Sequence, residues 1–296
     1  MIYSDVTDLV FRYVGQYNKQ NDFKSASEDI KDIIYGMSKD EILPLINQIG
    51  IIPERIAHDS KEEKLYSKVS EIFLGKCFEE LGFTTSLYVT RSDTADVFAK
   101  SKDHNYSLVS DAKAFRLSRT AKNQKDFKVE SMDAWKGDND YAVLCCPYYQ
   151  YPKKASAIFK QSLDKKVSLF SWEHLSFLIE NNIKESIDIN LSFLWDFPMV
   201  QSKLTTVVNM ENNYYNEQNK YIVEHTSLSH EAFNKFLIHS KTETITRCDT
   251  ERKFWENEKN EIHSYTKEQA INKLIDSLKI NQKIEQIDKY KKDLLK

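Results

Sequence analysis

Ala95-Asp96-Val97-Phe98-Ala99-Lys100 and Tyr106-Ser107-Leu108-Val109-Ser110-Asp111-Ala112-Lys113-Ala114-Phe115 are two apolar runs separated by the polar turn Lys102-Asp103-His104-Asn105. Both alternate with period two, the signature of strands, and the turn makes them neighbours in an antiparallel hairpin. If the turn is four residues long, paired residues have numbers that sum to 207, and Asp96 stands directly across from Asp111. The same period puts Asp111 and Lys113 on one face of their strand and Ala112 on the other.

Two carboxylates opposed on neighbouring strands repel, an arrangement that a sheet does not adopt for stability. A divalent cation relieves the repulsion. Mg²⁺ takes hard oxygen ligands, usually one or two carboxylates with water and substrate phosphate. A lysine two residues on would then neutralise charge and steer an attacking water in an in-line displacement at phosphorus. The competing reading is an exposed hairpin with solvated charges. An acidic residue, any residue, then lysine occurs eight times in the chain, so the triplet means nothing without its strand and its partner. A rival triplet, Asp126-Phe127-Lys128, falls in Asn123–Trp135, which reads as one helix and splays residues two apart. Glu63, near the start of a long helix behind the strands, is a further candidate for a metal or water role, although it is also the third residue of a capping box.

Outward from the hairpin the order of elements is legible. The first sixty residues read as helices, with apolar positions in Val6–Val14 and Ile30–Met37 and a capping box, Ser38-x-x-Glu41, opening a helix to Gln48. Gly50 and Pro53 close it. A second box, Ser60-x-x-Glu63, opens a helix on which Leu65, Val69, Ile72, Phe73 and Cys77 repeat at helical spacing, with Gly82 at its end. Ser86–Thr90 adds a first strand to the hairpin. After the Phe127–Trp135 helix come the strand Tyr141–Cys146, a helix near Ala155–Leu163, the strand Val167–Phe170 and a helix from Trp172. This predicts an α/β fold, a mixed sheet with helices on its faces. Beyond Pro198 the chain is polar and helical, with amphipathic stretches at Tyr214–Val223, Glu231–His239 and Glu251–Ile262 and a third box, Thr266-x-x-Gln269. The expectation is one domain over 1–296, in which a catalytic α/β core over 60–185 is flanked by a helical N-terminal region, 1–82, and a helical C-terminal region, 199–296.

Composition narrows the function. Hydrophobic residues are 41% and charged residues 29%, which suits a globular chain. Four cysteines without C-x-x-C spacing and seven histidines without zinc spacing signal no metal of that kind. Isolated glycines exclude a P-loop and a dinucleotide fingerprint. No apolar run reaches membrane-spanning length, and the acidic Asp5 and Asp8 do not suit a signal peptide, so a cytoplasmic protein is expected. The net charge of −3 argues against nonspecific coating of nucleic acid. Locally, however, Lys113, Arg116, Arg119, Lys122, Lys125 and Lys128 face a single acidic residue, Asp126. That run is either a solvated face or the footprint of a phosphate backbone. Asn123, where the run becomes helix, is an N-cap or a reader of adenine, whose N6 and N7 an asparagine amide can pair.

At these residues the sequence resembles the HindIII group of type II restriction endonucleases, members of the PD-(D/E)xK nuclease superfamily. The resemblance covers most of the chain and is densest in 106–129, 141–143 and 159–175; Arg116-Leu117-Ser118-Arg119-Thr120-Ala121-Lys122-Asn123-Gln124-Lys125-Asp126-Phe127-Lys128-Val129 looks like the family's own segment. It implies a restriction-endonuclease-like core with additional N- and C-terminal helices. It also implies Asp96, Asp111 and Lys113 as catalytic residues, with Asp96, Asp111 and Ala112, the residue between Asp111 and Lys113, at the Mg²⁺. Ala95 stands where the superfamily pattern has proline. The family further implies a homodimer that cuts both strands of AAGCTT after the first adenine, with a companion methyltransferase sparing the host's own sites. Arg116, Arg119, Lys122, Asn123 and Lys125 would lie on the DNA. The alternatives are a structure-specific nuclease of the same superfamily and a DNA-binding protein without catalysis.

Overall fold

The computed structural model describes residues 3–20, 23–87, 94–119, 124–152, 156–203 and 210–294. Its centre is a five-stranded sheet of β1 (Thr84–Leu87), β2 (Val97–Lys100), β3 (Ser107–Ala112), β4 (Tyr141–Cys146) and β5 (Val167–Ser171), side by side in sequence order. The first two pairings are antiparallel and the last two parallel. The sheet is therefore mixed, as expected. Positions 88–90 of the first expected strand lie outside the described residues.

The β2–β3 register is the one that the turn length dictates. Val97 pairs with Ser110 and Lys100 with Ser107, all summing to 207. The loop closes on itself: the N–H of Ser101 donates to the Tyr106 carbonyl at 3.1 Å, and the Ser101 hydroxyl accepts the His104 N–H at 2.8 Å. Tight local hydrogen bonding of this kind removes the slack by which a strand could slip one residue and turn its side chains over.

Side chains of alternating parity fill two cores. Leu108, Val143, Cys145 and Phe170 point to one, and Val109, Ala142, Leu144 and Leu169 to the other. Burial on both faces explains why β4 and β5 read as continuous apolar runs. The first core is covered by α1 (Tyr3–Gln20), α2 (Phe23–Tyr35), α3 (Lys39–Ile49), α4 (Lys61–Glu80) and α8 (Trp172–Glu180). The second is covered by α6 (Val129–Lys136), α7 (Ala157–Lys165), α9 (Ser192–Gln201) and α10 (Met210–Thr226).

Caps place the helix that carries most of the first core. Ser60 accepts the Glu63 N–H at 3.0 Å, but Glu63 turns its carboxylate to the N–H of Asp59 and to Arg116, so this capping box is half formed. The Ser38 and Thr266 boxes are complete. Gly82 follows the α4 cap with φ +95°, and a Cβ there would stand 2.6 Å from the Glu185 carbonyl, so both conformation and space demand glycine.

One expectation is corrected. The helix expected over 123–135 is two, α5 (Gln124–Phe127) and α6, because Lys128 takes a left-handed conformation at φ 50° and breaks the ladder. The stretches 231–239 and 251–262 belong to one helix of 35 residues, α11 (His230–Ser264). The helix α9 runs through Pro198 without ending there. By contact the chain divides into two compact units, 1–247 and 248–296. The second contains the end of α11, α12 (Lys267–Ser277) and α13 (Ile280–Leu294), and Ile271, Leu274, Leu278, Ile284 and Ile287 are exposed on it. No helix among the described residues is long and apolar enough to cross a membrane.

Candidate active site

The hairpin register brings the two aspartates together. Asp96, one residue before β2, donates its N–H to the Ser110 carbonyl at 3.0 Å, and its carboxylate accepts the Ala112 N–H at 2.8 Å. Asp111 lies in β3 and is 3% exposed. The Lys113 ammonium reaches the Asp111 carboxylate, so the alternate positions of the strand share one face as the period requires. The backbone of Lys113 is held on both sides: its N–H donates to the Cys145 carbonyl at 2.7 Å, and its carbonyl accepts the Trp172 indole N–H at 3.3 Å.

The electrostatics of the cluster are those of crowded carboxylates. Burial, then the negative charges of Asp111 and Glu71, push the Asp96 carboxyl well above its ordinary range, against the opposing pull of Lys113 and the Ala112 N–H. Glu71, on α4, is raised chiefly by burial and also by Asp111, with Lys68 pulling the other way. Asp96, Asp111 and Glu71 are all oxygen donors of the hard kind that small divalent cations take. Ala112 offers only its backbone carbonyl. The donor set fits a Mg²⁺-type ion, and charge repulsion within it is what such an ion would relieve.

Glu71 is the residue that sequence reading missed. On a helix whose Leu65, Tyr66, Val69, Ser70, Ile72 and Phe73 are buried, the polar Lys68 and Glu71 are adjacent at i and i+3. That adjacency was the available signal. Glu63 lies two turns earlier, about 12 Å along the helix axis. Its carboxylate accepts from Arg116 at 2.7 and 3.2 Å and from the Asp59 N–H at 2.7 Å. His58, Asp59 and Glu63 come close enough to share a cation, but His58 and Asp59 are exposed and Glu63 is already held.

The basic run starts from a fixed root. Arg116 is turned inward, with Nη1 also donating to the Pro53 carbonyl at 3.0 Å, while the N–H and hydroxyl of Ser118 donate to the Glu54 carboxylate at 3.0 and 2.8 Å. Arg119 lies over the Phe115 ring and donates to Asp126 at 2.5 Å. The rival triplet thus has its aspartate bound to an arginine, on the short helix α5. Lys125 is exposed and lines an open cleft with Lys128, Val129, Glu130, Ser131 and Gln161. Lys122 and Asn123 lie outside the described residues.

A family profile described as HindIII restriction endonuclease matches residues 5–291. The type II restriction enzyme HindIII of Haemophilus influenzae is 42% identical over 273 residues, covering 92% of this chain and 91% of that enzyme. The match runs through both helical flanks as well as the sheet, so it concerns the whole architecture and not a shared three-residue motif. The chain belongs to the HindIII restriction endonuclease family.

Proposed function

We propose that this protein is a type II restriction endonuclease that makes Mg²⁺-dependent double-strand cuts in DNA at the palindrome AAGCTT, after the first adenine. The observation that carries the chemistry is the hairpin register, which sets Asp96 against β3 beside Asp111 and Lys113. Asp96, Asp111 and the Ala112 carbonyl would hold the ion, with Glu71 near enough for its charge to act on both aspartates. A bound Mg²⁺ would supply positive charge to the scissile phosphate and lower the pKa of a water for in-line attack.

Lys113 supplies what the carboxylates cannot. Its ammonium can donate to the attacking water or to a non-bridging phosphate oxygen and offset the charge that develops there. The backbone bonds from Cys145 and Trp172 fix the root of this side chain, which keeps its reach constant. Asp96, tied to the Ala112 N–H, keeps its carboxylate over the strand that carries the other two groups.

Arg119, Lys122 and Lys125 would contact phosphates, which positions the enzyme without specifying sequence, and Asn123 would read an adenine in the major groove. Arg116 would support this segment from inside through Glu63. A palindrome with one cut in each strand calls for two centres related by a two-fold axis, hence a homodimer. The apolar side chains exposed on α12 and α13 support association with a second copy. A methyltransferase acting on the same site is the partner that such an activity requires in a cytoplasm shared with the host DNA. Digestion of a plasmid with and without Mg²⁺ tests the proposal: discrete fragments only with the ion are expected.

A further inference from the structure

Lys68 and Glu71 form an ion pair on α4 at 2.5 Å, with side chains only 12% and 20% exposed. Most of the described helical pairs elsewhere are unlike it. Lys24 with Glu28 is 68% and 62% exposed, and Lys235 with Glu231 75% and 77%, the solvated situation in which a pair contributes little. Only Lys76 with Glu80, farther along the same helix, is comparably buried among the described helical pairs. What distinguishes Lys68 is its company. Glu71 feels the charges of Asp111 and Lys113, and Asp96 feels that of Glu71. α4 packs on β2 and β3, which brings Glu71 and Lys68 near Asp96, Asp111 and Lys113: three carboxylates against two ammonium groups. Lys113 is engaged by Asp111, which leaves Lys68 as the cation facing the third carboxylate.

We propose that Lys68 is a built-in counter-ion of the catalytic centre: it occupies Glu71 while no cation is bound and yields that carboxylate when a divalent ion arrives, so it sets the cation affinity. The inference rests on the reading of the centre as a divalent-metal site. A charge on the helix and the incoming ion compete for the same oxygen, and two like charges near one carboxylate repel. Both effects act in one direction. Removing the Lys68 charge strengthens metal binding by about tenfold or more, since even fully water-screened charges a few ångströms apart alter an equilibrium several-fold. Lys68 is thus a positioning residue: it acts through Glu71 and not on the phosphate.

The test is calorimetric titration of Mg²⁺ into the full-length protein without DNA, for wild type, Lys68→Met, Lys68→Arg and Lys76→Met. Lys68→Met is expected to bind Mg²⁺ about tenfold more tightly. Lys68→Arg, which keeps the charge, and Lys76→Met, which breaks a buried pair away from the centre, are expected to match wild type. Lys68→Gln deletes the charge but keeps a donor to Glu71, and should move affinity the same way if the methionine variant does not fold. Equal or weaker Mg²⁺ binding by both neutral variants overturns the counter-ion role. If neither wild type nor any variant takes up Mg²⁺, the metal reading of the centre falls and the counter-ion role falls with it. A wild type that binds with all variants equal removes only the latter.

Discussion

The carboxylate of Asp96 accepts the backbone N–H of Ala112 at 2.8 Å, across the hairpin from the strand that carries Asp111. The two aspartates are thereby locked in one register by a bond that bypasses the side chain of Ala112. Alanine suffices at position 112 because the site uses only its backbone, while its methyl group packs against the first core.

Lys113→Ala should abolish cleavage while leaving DNA binding close to that of wild type, since the ammonium serves the transition state more than the complex. Paired gel-shift and digestion assays on one preparation measure this. A loss of ~10²-fold or more in rate is expected, and a variant cutting faster than about a hundredth of wild type would remove Lys113 from the mechanism.

Glu173 and His174, fully buried at the start of α8, should give the enzyme a stability optimum bounded on both sides. Burial raises Glu173 from 4.5 to about 7, although the Tyr148 N–H favours its charged form. Its folded pKa lies above the unfolded one, so its contribution is intact below 4.5 and is lost as pH rises through 7, a change on the order of 3 kcal/mol. Burial lowers His174 from 6.5 to about 4, and stability there falls as pH drops from 6.5 towards 4. Glu173→Gln keeps an oxygen for Tyr148 and should melt higher than wild type at pH 8.5 but not at pH 5. Parallel melting curves at both pH values would refute this.

Gly50→Ala should lower both stability and activity. A Cβ at Gly50 would lie 2.5 Å from Pro147 and 2.7 Å from the Trp172 indole, the ring that holds the Lys113 carbonyl, and the Gly50 carbonyl itself accepts the Phe115 N–H at 2.9 Å. Overpacking at such a contact costs about 1–3 kcal/mol. Chemical denaturation gives the stability change, and a cleavage rate unchanged beside it would show that Trp172 does not position Lys113.

Much of the sheet was legible because its rules are local. Period two fixed which residues share a face, and a four-residue turn fixed the register that opposes Asp96 to Asp111. Glu71 left only a faint trace, its i, i+3 adjacency to Lys68 on a largely buried helix, since its role depends on how α4 lies against the hairpin, which local spacing does not encode. Lys128 escaped for the opposite reason: one left-handed residue interrupts a helix whose apolar pattern continues across the break. Glu63 matched a capping box, but Arg116, 53 positions away, takes its carboxylate instead.

Asn123→Ala distinguishes base reading from helix capping. Loss of a bidentate adenine contact should cost ~1–3 kcal/mol on AAGCTT and little on a scrambled duplex, whereas loss of a cap lowers thermal stability and weakens both complexes. Binding to the two duplexes at one salt concentration, with a melting curve, gives the answer. Equal losses and a depressed melting point would end the adenine assignment.

The most direct measurement is to sequence the ends of plasmid fragments produced in Mg²⁺ by wild type, Asp111→Asn and Asp126→Asn. Cuts confined to AAGCTT after the first adenine in both strands are expected from wild type. None is expected from Asp111→Asn, and the same ends, at a measurable fraction of the rate, from Asp126→Asn. Cuts at another sequence would contradict the assigned specificity, and cutting by Asp111→Asn but not by Asp126→Asn would contradict the assigned centre.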